Sequence, residues 1–270
     1  MVSATKLIIT GAAGRMGSRL VSLSQESPQL SLVGATESQG HLSIGRDVGE
    51  VAGCGAVGIF LTEDLAAVLP LGDVVIDFTA PVATLHHLEQ AVHYGRAMVI
   101  GTTGFSPEEL AKLRVLTQCI PCVCAPNMSV GINVLLEIVG KVAQTLGEDF
   151  DIEVIEAHHH KKKDAPSGTA LKLAEALAAA MERDLQEVGV FARHGMTGER
   201  RPREIGMQTI RAGDIVGDHT ILFGGLGERI EITHRAHNRD PFVRGALRAA
   251  EWVRSQPPGL YTMADVLGVG

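Results

Sequence analysis

At 270 residues and 28.6 kDa, the chain is long enough to bury roughly 73% of its unfolded surface, so a core forms without disulfide or metal staples. Its 45% apolar and 20% charged residues exclude intrinsic disorder, and 31 glycines without a Gly-X-Y period exclude a collagen-like fibre. Lys and Arg number 24 against 31 Asp and Glu, so a net charge of −7 provides no overall positive field for nucleic acid and favours a small-molecule role.

The N-terminus lacks a positive region followed by a long apolar stretch, and no uninterrupted apolar run reaches the roughly 18 residues of a membrane helix, so a cytoplasmic protein is expected. Residues 6–10 form a short apolar strand ended by a glycine turn, and apolar residues at helical spacing continue from Ser18. Strands follow at residues 30–36, 73–78, 97–100 and 120–125. Between them lie a helix over 81–94, closed by Gly95, and one opened by Ser106, Pro107 and Glu109, which form a capping box with proline at the first position. This alternation predicts a Rossmann-like parallel α/β sheet to about residue 126.

The pattern then changes to a helix over 129–146, a strand over 150–156 with one wet face, and an alanine-rich helix over 170–184. Strand-like runs at 208–211, 219–223 and 229–234 predict an antiparallel or mixed sheet. Asp240 and Pro241 open a final helix to about residue 254 that is assigned back to the first domain. The expected organisation is a dinucleotide-binding domain of residues 1–126 and 237–270 and an α+β substrate-binding and oligomerisation domain of residues 127–236. Cys119, Cys122 and Cys124 crowd one segment while Cys54 stands alone; this matches neither a disulfide framework nor paired zinc knuckles, so reduced, buried thiols are expected.

Gly11, Gly14 and Gly17 follow a strand and open a helix, where bare backbone approaches a pyrophosphate and the helix N–H groups favour an anion. Ala12 holds the first glycine position of G-x-G-x-x-G, so the fingerprint is a variant. The turn residues expected to hold the cofactor are Gly11, Ala12, Ala13, Gly14, Arg15 and Met16. Glu37, 20 residues after Gly17 at the end of the next strand, is placed to accept ribose hydroxyls. Ser38 supplies no cation for a 2′-phosphate, so NADH is expected to be preferred to NADPH. No Gly-Lys-[Ser/Thr] follows the turn, which excludes a P-loop. Gly101, Thr102 and Thr103, and Ala125, Pro126, Asn127 and Met128, sit after strands at the edge where such sheets bind ligands, as nicotinamide and ribose contacts. Arg15 and Arg19 either assist the phosphates or are simply solvated. The competing reading is that the glycines only pack a turn and Glu37 is a solvated acid.

His158, His159, His160, Lys161, Lys162 and Lys163 form an unbroken basic run between a strand and a helix in this acidic chain. Ser167, Gly168 and Thr169 fall at the start of the next helix, where unpaired N–H groups and hydroxyls bind a carboxylate. Histidine and lysine there can deliver protons during a reduction. A solvated loop and a triple-histidine metal site are the competing readings. The second is disfavoured because adjacent residues point different ways and no carboxylate or cysteine completes the set, so no metal is expected.

The chain resembles the 4-hydroxy-tetrahydrodipicolinate (dihydrodipicolinate) reductase family of the diaminopimelate route to lysine. The resemblance rests on the Gly11–Gly17 turn, Gly101 to Gly104, Ala125 to Gly131, the E-x-H-H-x-x-K-x-D-A-P-S-G-T stretch from Glu156 to Thr169, and Thr233 to Ala236. It implies NAD(P)H-dependent reduction of a cyclic dicarboxylate, with proton transfer by His158 and Lys162 and carboxylate binding by His159, Gly168 and Thr169. It also implies the ribose ligand at Glu37, although some members follow that acid with arginine where this chain has Ser38. A homotetramer is a further implication; separately, cofactor and substrate on different domains predict hinge closure around residues 126–130 and 236–240 to exclude water. The alternatives are a related nicotinamide dehydrogenase of an amino or oxo dicarboxylate and a non-catalytic dinucleotide sensor; a sensor needs no proton donors beside an anion site.

Overall fold

The computed structural model describes residues 3–269. In chain order the elements are β1 (Thr5–Thr10), α1 (Arg15–Ser24), β2 (Leu30–Thr36), α2 (Val48–Ala52), α3 (Leu65–Val68), β3 (Val74–Asp77) and α4 (Pro81–Tyr94). Next come β4 (Ala97–Ile100), α5 (Pro107–Leu116), β5 (Pro121–Cys124), α6 (Val130–Leu146), β6 (Asp151–His158) and α7 (Gly168–Ala180). The remainder is α8 (Leu185–Val188), β7 (Gly189–Val190), β8 (Ile205–Arg211), β9 (Gly217–Gly224), β10 (Arg229–Ala236), α9 (Asp240–Val253), β11 (Gly259–Tyr261) and α10 (Met263–Leu267). The chain divides into two units after Val130 and again after Arg239, the last segment returning to the first unit.

The first unit is a six-stranded parallel sheet of order β11-β5-β4-β3-β1-β2. Successive strand residues point to opposite faces, and here both faces are apolar, as a parallel sheet covered on both sides requires. Leu7, Ile9, Val74, Ile76, Val99 and Val123 meet Leu20 of α1, Val243 and Ala250 of α9 and Val266 of α10. Ile8, Val75, Met98, Ile100 and Cys122 meet the layer that contains Leu65, Leu88 and Leu113 of α3, α4 and α5. The strand order reverses between β1 and β3, the switch point where open sheets form a ligand crevice. α5 starts with the anticipated capping box, Ser106 Oγ accepting from the Glu109 N–H at 3.2 Å and Glu109 accepting from the Ser106 N–H at 2.7 Å.

The second unit carries the mixed sheet β10-β9-β6-β8-β7, in which β6 pairs parallel with β8 and antiparallel with β9. One face packs Ile152, Val154, Met207, Ile221 and Phe223 against Leu135 and Val139 of α6 and Leu173 and Leu177 of α7. α6 and its continuation to Asp149 are long and apolar enough, by length and composition, to cross a membrane, although Glu137 and Lys141 interrupt the apolar run. Its Leu135, Val139 and Ala143 are buried in the second core, while Glu137 and Lys141 lie on its exposed side.

Three expectations are corrected. α9 is not the last element, because β11 adds a sixth strand beside β5 and α10 follows it. The alanine-rich helix begins at Gly168, capped by Ser167, and stops at Ala180 rather than running over 170–184. None of the four cysteines is in a disulfide, but only Cys122 is buried, and Cys54 and Cys119 are exposed.

Asp77, at the carboxyl end of β3, is fully buried. Its Oδ1 accepts from the Thr79 N–H at 3.0 Å and from the hydroxyls of Thr79, Thr84 and Thr102 at 2.8, 2.8 and 3.1 Å. Its Oδ2 accepts from the Thr10 hydroxyl at 2.8 Å and lies 2.6 Å from His87 Nδ1. Burial raises the carboxyl's pKa, but the hydrogen bond and charge of His87 and the bonds from Thr79 outweigh it and hold the group at about 2. The ends of β1, β3 and β4 are thereby tied to α4.

Two stability predictions follow from this packing. A Cβ on Gly245 of α9 would overlap the Met128 carbonyl, so Gly245→Ala is expected to destabilise the protein by about 1–3 kcal/mol in denaturant titrations. Because the folded pKa of Asp77 is depressed, its ionised form adds stability that is complete above the ordinary 3.8 and is lost as pH falls through about 2. The stability gap between wild type and Asp77→Asn is therefore expected to narrow by about 2 kcal/mol between about pH 5 and pH 2; a pH-independent gap would mean that Asp77 folds protonated.

Candidate active site

In the first unit β1 runs directly into Gly11, whose φ of +60° is the left-handed region that glycine adopts without strain. A Cβ on Gly11 would sit 2.9 Å from Thr79 Cγ2 across the switch point, and one on Gly17 would overlap the Gly11 carbonyl. The turn and α1 can approach this closely only as glycine. Gly14 is the N-cap of α1 and offers no side-chain cap, so the N–H groups of Arg15 and Met16 have no intrahelical acceptor. The N–H groups just before them are already engaged: Ala12 donates to the Thr36 carbonyl at 3.0 Å, Gly14 to the Gly11 carbonyl at 3.0 Å, and Ala13 to Glu37 Oε1 at 3.2 Å. The other Glu37 oxygen accepts from the Ser38 N–H at 2.9 Å. Glu37 is thus pinned against the turn at the end of β2.

A cleft of about 390 Å³ opens here, its lining including Gly11, Glu37, Ser38, Glu63, Thr79 and His86. An uncapped helix start, a glycine cradle and a fixed carboxylate fit a dinucleotide's pyrophosphate and ribose diol. Arg19 is not available to the phosphates, because its guanidinium forks onto Asp240 at 3.0 and 2.8 Å; Arg15 is exposed. Gly101, Thr102 and Thr103 follow β4, and Ala125 to Met128 follow β5, at the same sheet edge as Gly11. A Cβ on Gly101 would overlap the Phe78 ring. The Thr102 hydroxyl is committed to Asp77, which leaves Thr103 as the exposed threonine of the pair. Ala125 and Met128 are buried, Pro126 is exposed, and the Asn127 side chain accepts from the Ser129 N–H at 2.9 Å.

In the second unit the basic run divides sharply by environment. His158 is the last residue of β6 and is buried, whereas His160, Lys161 and Lys163 are exposed. His158 Nδ1 lies 2.6 Å from Glu156 Oε2. Glu156, 1% exposed, also takes a two-pronged pair from Arg211, each prong 2.8 Å, and its Oε1 accepts from the Ser167 N–H at 3.0 Å. Arg211 lies opposite His158 in the β6–β8 register and also donates to the Asp164 carbonyl at 2.6 Å. Lys162 Nζ pairs with the Asp164 carboxylate at 2.9 Å. His159 is half-buried, with a buried Nδ1 that has no hydrogen-bond partner among the described residues. His160 instead folds back on the Gly213 carbonyl, 2.8 Å from its Nδ1.

α7 opens immediately beyond. Ser167 Oγ accepts from the Ala170 N–H at 3.1 Å and lies 3.1 Å from His219 Nε2. Gly168, the first residue of the helix, is exposed, and a Cβ on it would meet nothing within 4 Å. His219 stands edge-on to His158, ring centroids 5.2 Å apart; burial, aided by the charge of a protonated His158, pushes its pKa down to about 3, so it is neutral. Burial also lowers the His158 pKa, the nearby charges of Lys162 and Arg211 acting in the same direction, although Glu156 opposes them. Burial raises the Glu156 pKa, but Arg211, His158 and the Ser167 N–H more than compensate and keep it ionised. Chemically, an imidazole held by a carboxylate can take and give a proton, and a helix start can accept an anion.

Arg211, His219, Asp77 and His87 escape sequence reasoning. Arg211 and His219 reach the site only through strand register, lying opposite His158 and Glu156 respectively. Only Asp77, an acid closing the apolar strand Val74–Asp77, carries a local signal. Among the described residues no cluster of three or more His, Cys, Asp or Glu is arranged to hold a metal.

Comparison with known proteins agrees along the chain. The family model described as dihydrodipicolinate reductase, N-terminus matches residues 5–128, and that described as dihydrodipicolinate reductase, C-terminus matches residues 131–267. A 4-hydroxy-tetrahydrodipicolinate reductase from Syntrophobacter fumaroxidans is 56% identical over 97% of this chain and 98% of its own length. One from Syntrophus aciditrophicus is 52% identical over the same shares. Among solved structures, a dipicolinate-bound dihydrodipicolinate reductase from Paenisporosarcina sp. TG-14 superposes with a TM-score of 0.73 at 25% identity, covering 97% of this chain and 98% of that one. Matched from Thr5 to Leu267 with only two residues between the two models, the chain belongs to the dihydrodipicolinate reductase family.

Proposed function

We propose that the chain catalyses the NAD(P)H-dependent reduction of 4-hydroxy-tetrahydrodipicolinate, via dihydrodipicolinate, to tetrahydrodipicolinate, the reductase step of the diaminopimelate route to lysine. The observation that carries this reading is the buried Glu156–His158 pair, with Lys162 nearby and the open start of α7 beyond, in a chain 52% and 56% identical to reductases of that name. The relative that binds dipicolinate supports a flat cyclic dicarboxylate as the ligand class.

The residues divide the work as follows. When bound, the nicotinamide cofactor supplies a hydride. Glu37 accepts the ribose hydroxyls and the N–H groups of Arg15 and Met16 face the pyrophosphate, while Gly101 to Thr103 and Ala125 to Met128 line the nicotinamide end. His159 and the N–H groups of Gly168 and Thr169 hold the substrate carboxylates, and the surrounding cations stabilise negative charge as it develops. Addition of hydride to the conjugated ring carbon leaves an enamine-like substrate intermediate, which takes a proton at the neighbouring carbon. His158, through Nε2, and Lys162 supply that proton; burial lowers the His158 pKa and so favours its neutral ring. The assembly is a cytoplasmic homotetramer. Ile155, Ile210 and Leu222, on the sheet face opposite α6 and α7, support burial against a second copy.

His158→Ala and Lys162→Ala are each expected to lower kcat at least about 10²-fold while NADH still binds. In Lys162→Ala the remaining acid is the His158 imidazolium. Its pKa lies below 6.5, so the residual rate is expected to rise as pH falls below about 6.5 and to be lost above it. Near-wild-type kcat in both variants, or a residual rate greatest above about pH 7, would overturn the assignment. Cofactor choice is a separate matter. Glu37 and Glu63 both line the cleft and Ser38 brings no cation, so kcat/KM is expected to be higher with NADH than with NADPH; equal or higher efficiency with NADPH would remove this preference.

A further inference from the structure

We infer that Glu156 is the positioning residue of the acid site: one carboxylate oxygen fixes the tautomer of His158 while the other fixes the start of α7. The inference rests on the reading of His158 and Lys162 as the proton-delivering pair, and it assigns a role to a carboxylate that touches no substrate.

An ionised carboxylate has acceptors and no donor. With Glu156 Oε2 2.6 Å away, His158 Nδ1 must carry the hydrogen, so the neutral ring keeps its lone pair on Nε2. That second nitrogen faces Gly217 of β9, where a Cβ would come within 3.0 Å of it; the glycine leaves it room. The charged and titratable groups around the ring are Glu156 on its own strand, Arg211 on β8, Lys162 on the loop and neutral His219 on β9. None of these except Glu156 can accept the Nδ1 hydrogen, since Arg211 and Lys162 are donors and His219 meets the ring edge-on.

The other oxygen acts on the anion site. Glu156 Oε1 accepts the N–H of Ser167, the N-cap residue of α7, and so sets where the N–H groups of Gly168 and Thr169 point. Arg211 locks both halves together. Its fork spans Oε1 and Oε2, holding the carboxylate plane, and its bond to the Asp164 carbonyl holds the loop that carries Lys162. A carboxylate needed only to neutralise Arg211 would be complete with the fork alone. The bonds to His158 and Ser167 point in two further directions, toward the proton site and toward the carboxylate site.

Glu156→Gln keeps the shape but replaces one carboxylate oxygen by an NH2 donor; the Ser167 N–H and one Arg211 prong can only donate and so keep the amide oxygen on their side, which turns the NH2 toward His158, whose Nδ1 must then accept. The test uses the full-length enzyme with ¹⁵N-labelled histidine, at a pH of about 7.5. In wild type the His158 ring is expected to be protonated at Nδ1 and bare at Nε2. In Glu156→Gln the Nε2-protonated form is expected to appear, with kcat down at least about 10²-fold and the NADH dissociation constant within about twofold of wild type. A wild-type spectrum showing hydrogen on Nε2 overturns the inference, and needs no variant to fold. So does a variant that loses activity with the tautomer unchanged, which would mark a merely structural residue, or one that keeps kcat within about threefold. Failure of the wild-type enzyme to reduce the cyclic imine would count against the proposed reaction and leave the tautomer result standing.

Discussion

Asp77 and Glu156 place a buried carboxylate at or near the end of a strand in each unit, and the surrounding loops are organised by what those oxygens accept. An isolated carboxylate in such surroundings would be prohibitively unstable, so its donors must be present together or the charge is lost. Asp77 is satisfied by four threonine hydroxyls, one N–H and an imidazole, Glu156 by a guanidinium fork, one N–H and an imidazole. In both, the imidazole nitrogen is Nδ1 at 2.6 Å. The difference lies in what is held. Asp77 ties backbone ends together beside the cleft that Gly11 and Thr79 line, while Glu156 holds the side chains of His158 and Arg211 and the start of α7.

The two sheets suit these tasks for different reasons. The parallel sheet is covered on both faces and ends in a row of turns at one edge, so small, close-packed residues such as Gly11, Gly17 and Gly101 shape its mouth. The mixed sheet is covered by helices on one face only, and its β6 carries polar groups inward as it leaves the core, Glu156 and then His158. The net negative charge of the chain has little bearing on the basic loop. Asp164 and Glu156 partner Lys162 and Arg211 locally, whereas His160, Lys161 and Lys163 remain in water.

Much of this was legible in the residues themselves. The apolar runs of β1 to β5 and the proline, glycine and serine punctuation of α4 and α5 are local signals, and the structure repeats them almost residue for residue. β11 escaped because three residues, Gly259 to Tyr261, make a strand only by lying beside β5. The short α2 and α3 are likewise below the length at which periodicity speaks, and are held by Asp47 and Asp64 as N-caps. In the site, the motif from Glu156 to Thr169 displayed its basic and hydroxyl residues, but not that His158 turns inward while His160 turns out. That distinction depends on the strand ending at His158, and on Arg211 and His219 arriving from β8 and β9 by long-range pairing. The glycine turn suggested which backbone approaches a pyrophosphate, yet only the folded chain shows the Ala12 N–H spent on the Thr36 carbonyl of β2 and the Gly14 N–H on the Gly11 carbonyl.

The first unit is built from two stretches of chain separated by the whole of the second. Val243, Ala246, Ala249, Ala250 and Val253 of α9 fill the core beneath β3 and β4, and Gly245 rests on the Met128 carbonyl. On the ribosome, most of the nucleotide-binding layer is therefore made before the second unit yet matures after it: its closing helix and edge strand are translated only after Gly131–Arg239 has been synthesised as one continuous piece. The order of synthesis is the reverse of the order of completion, and a nascent chain halted before Asp240 exposes an apolar sheet face in search of a cover.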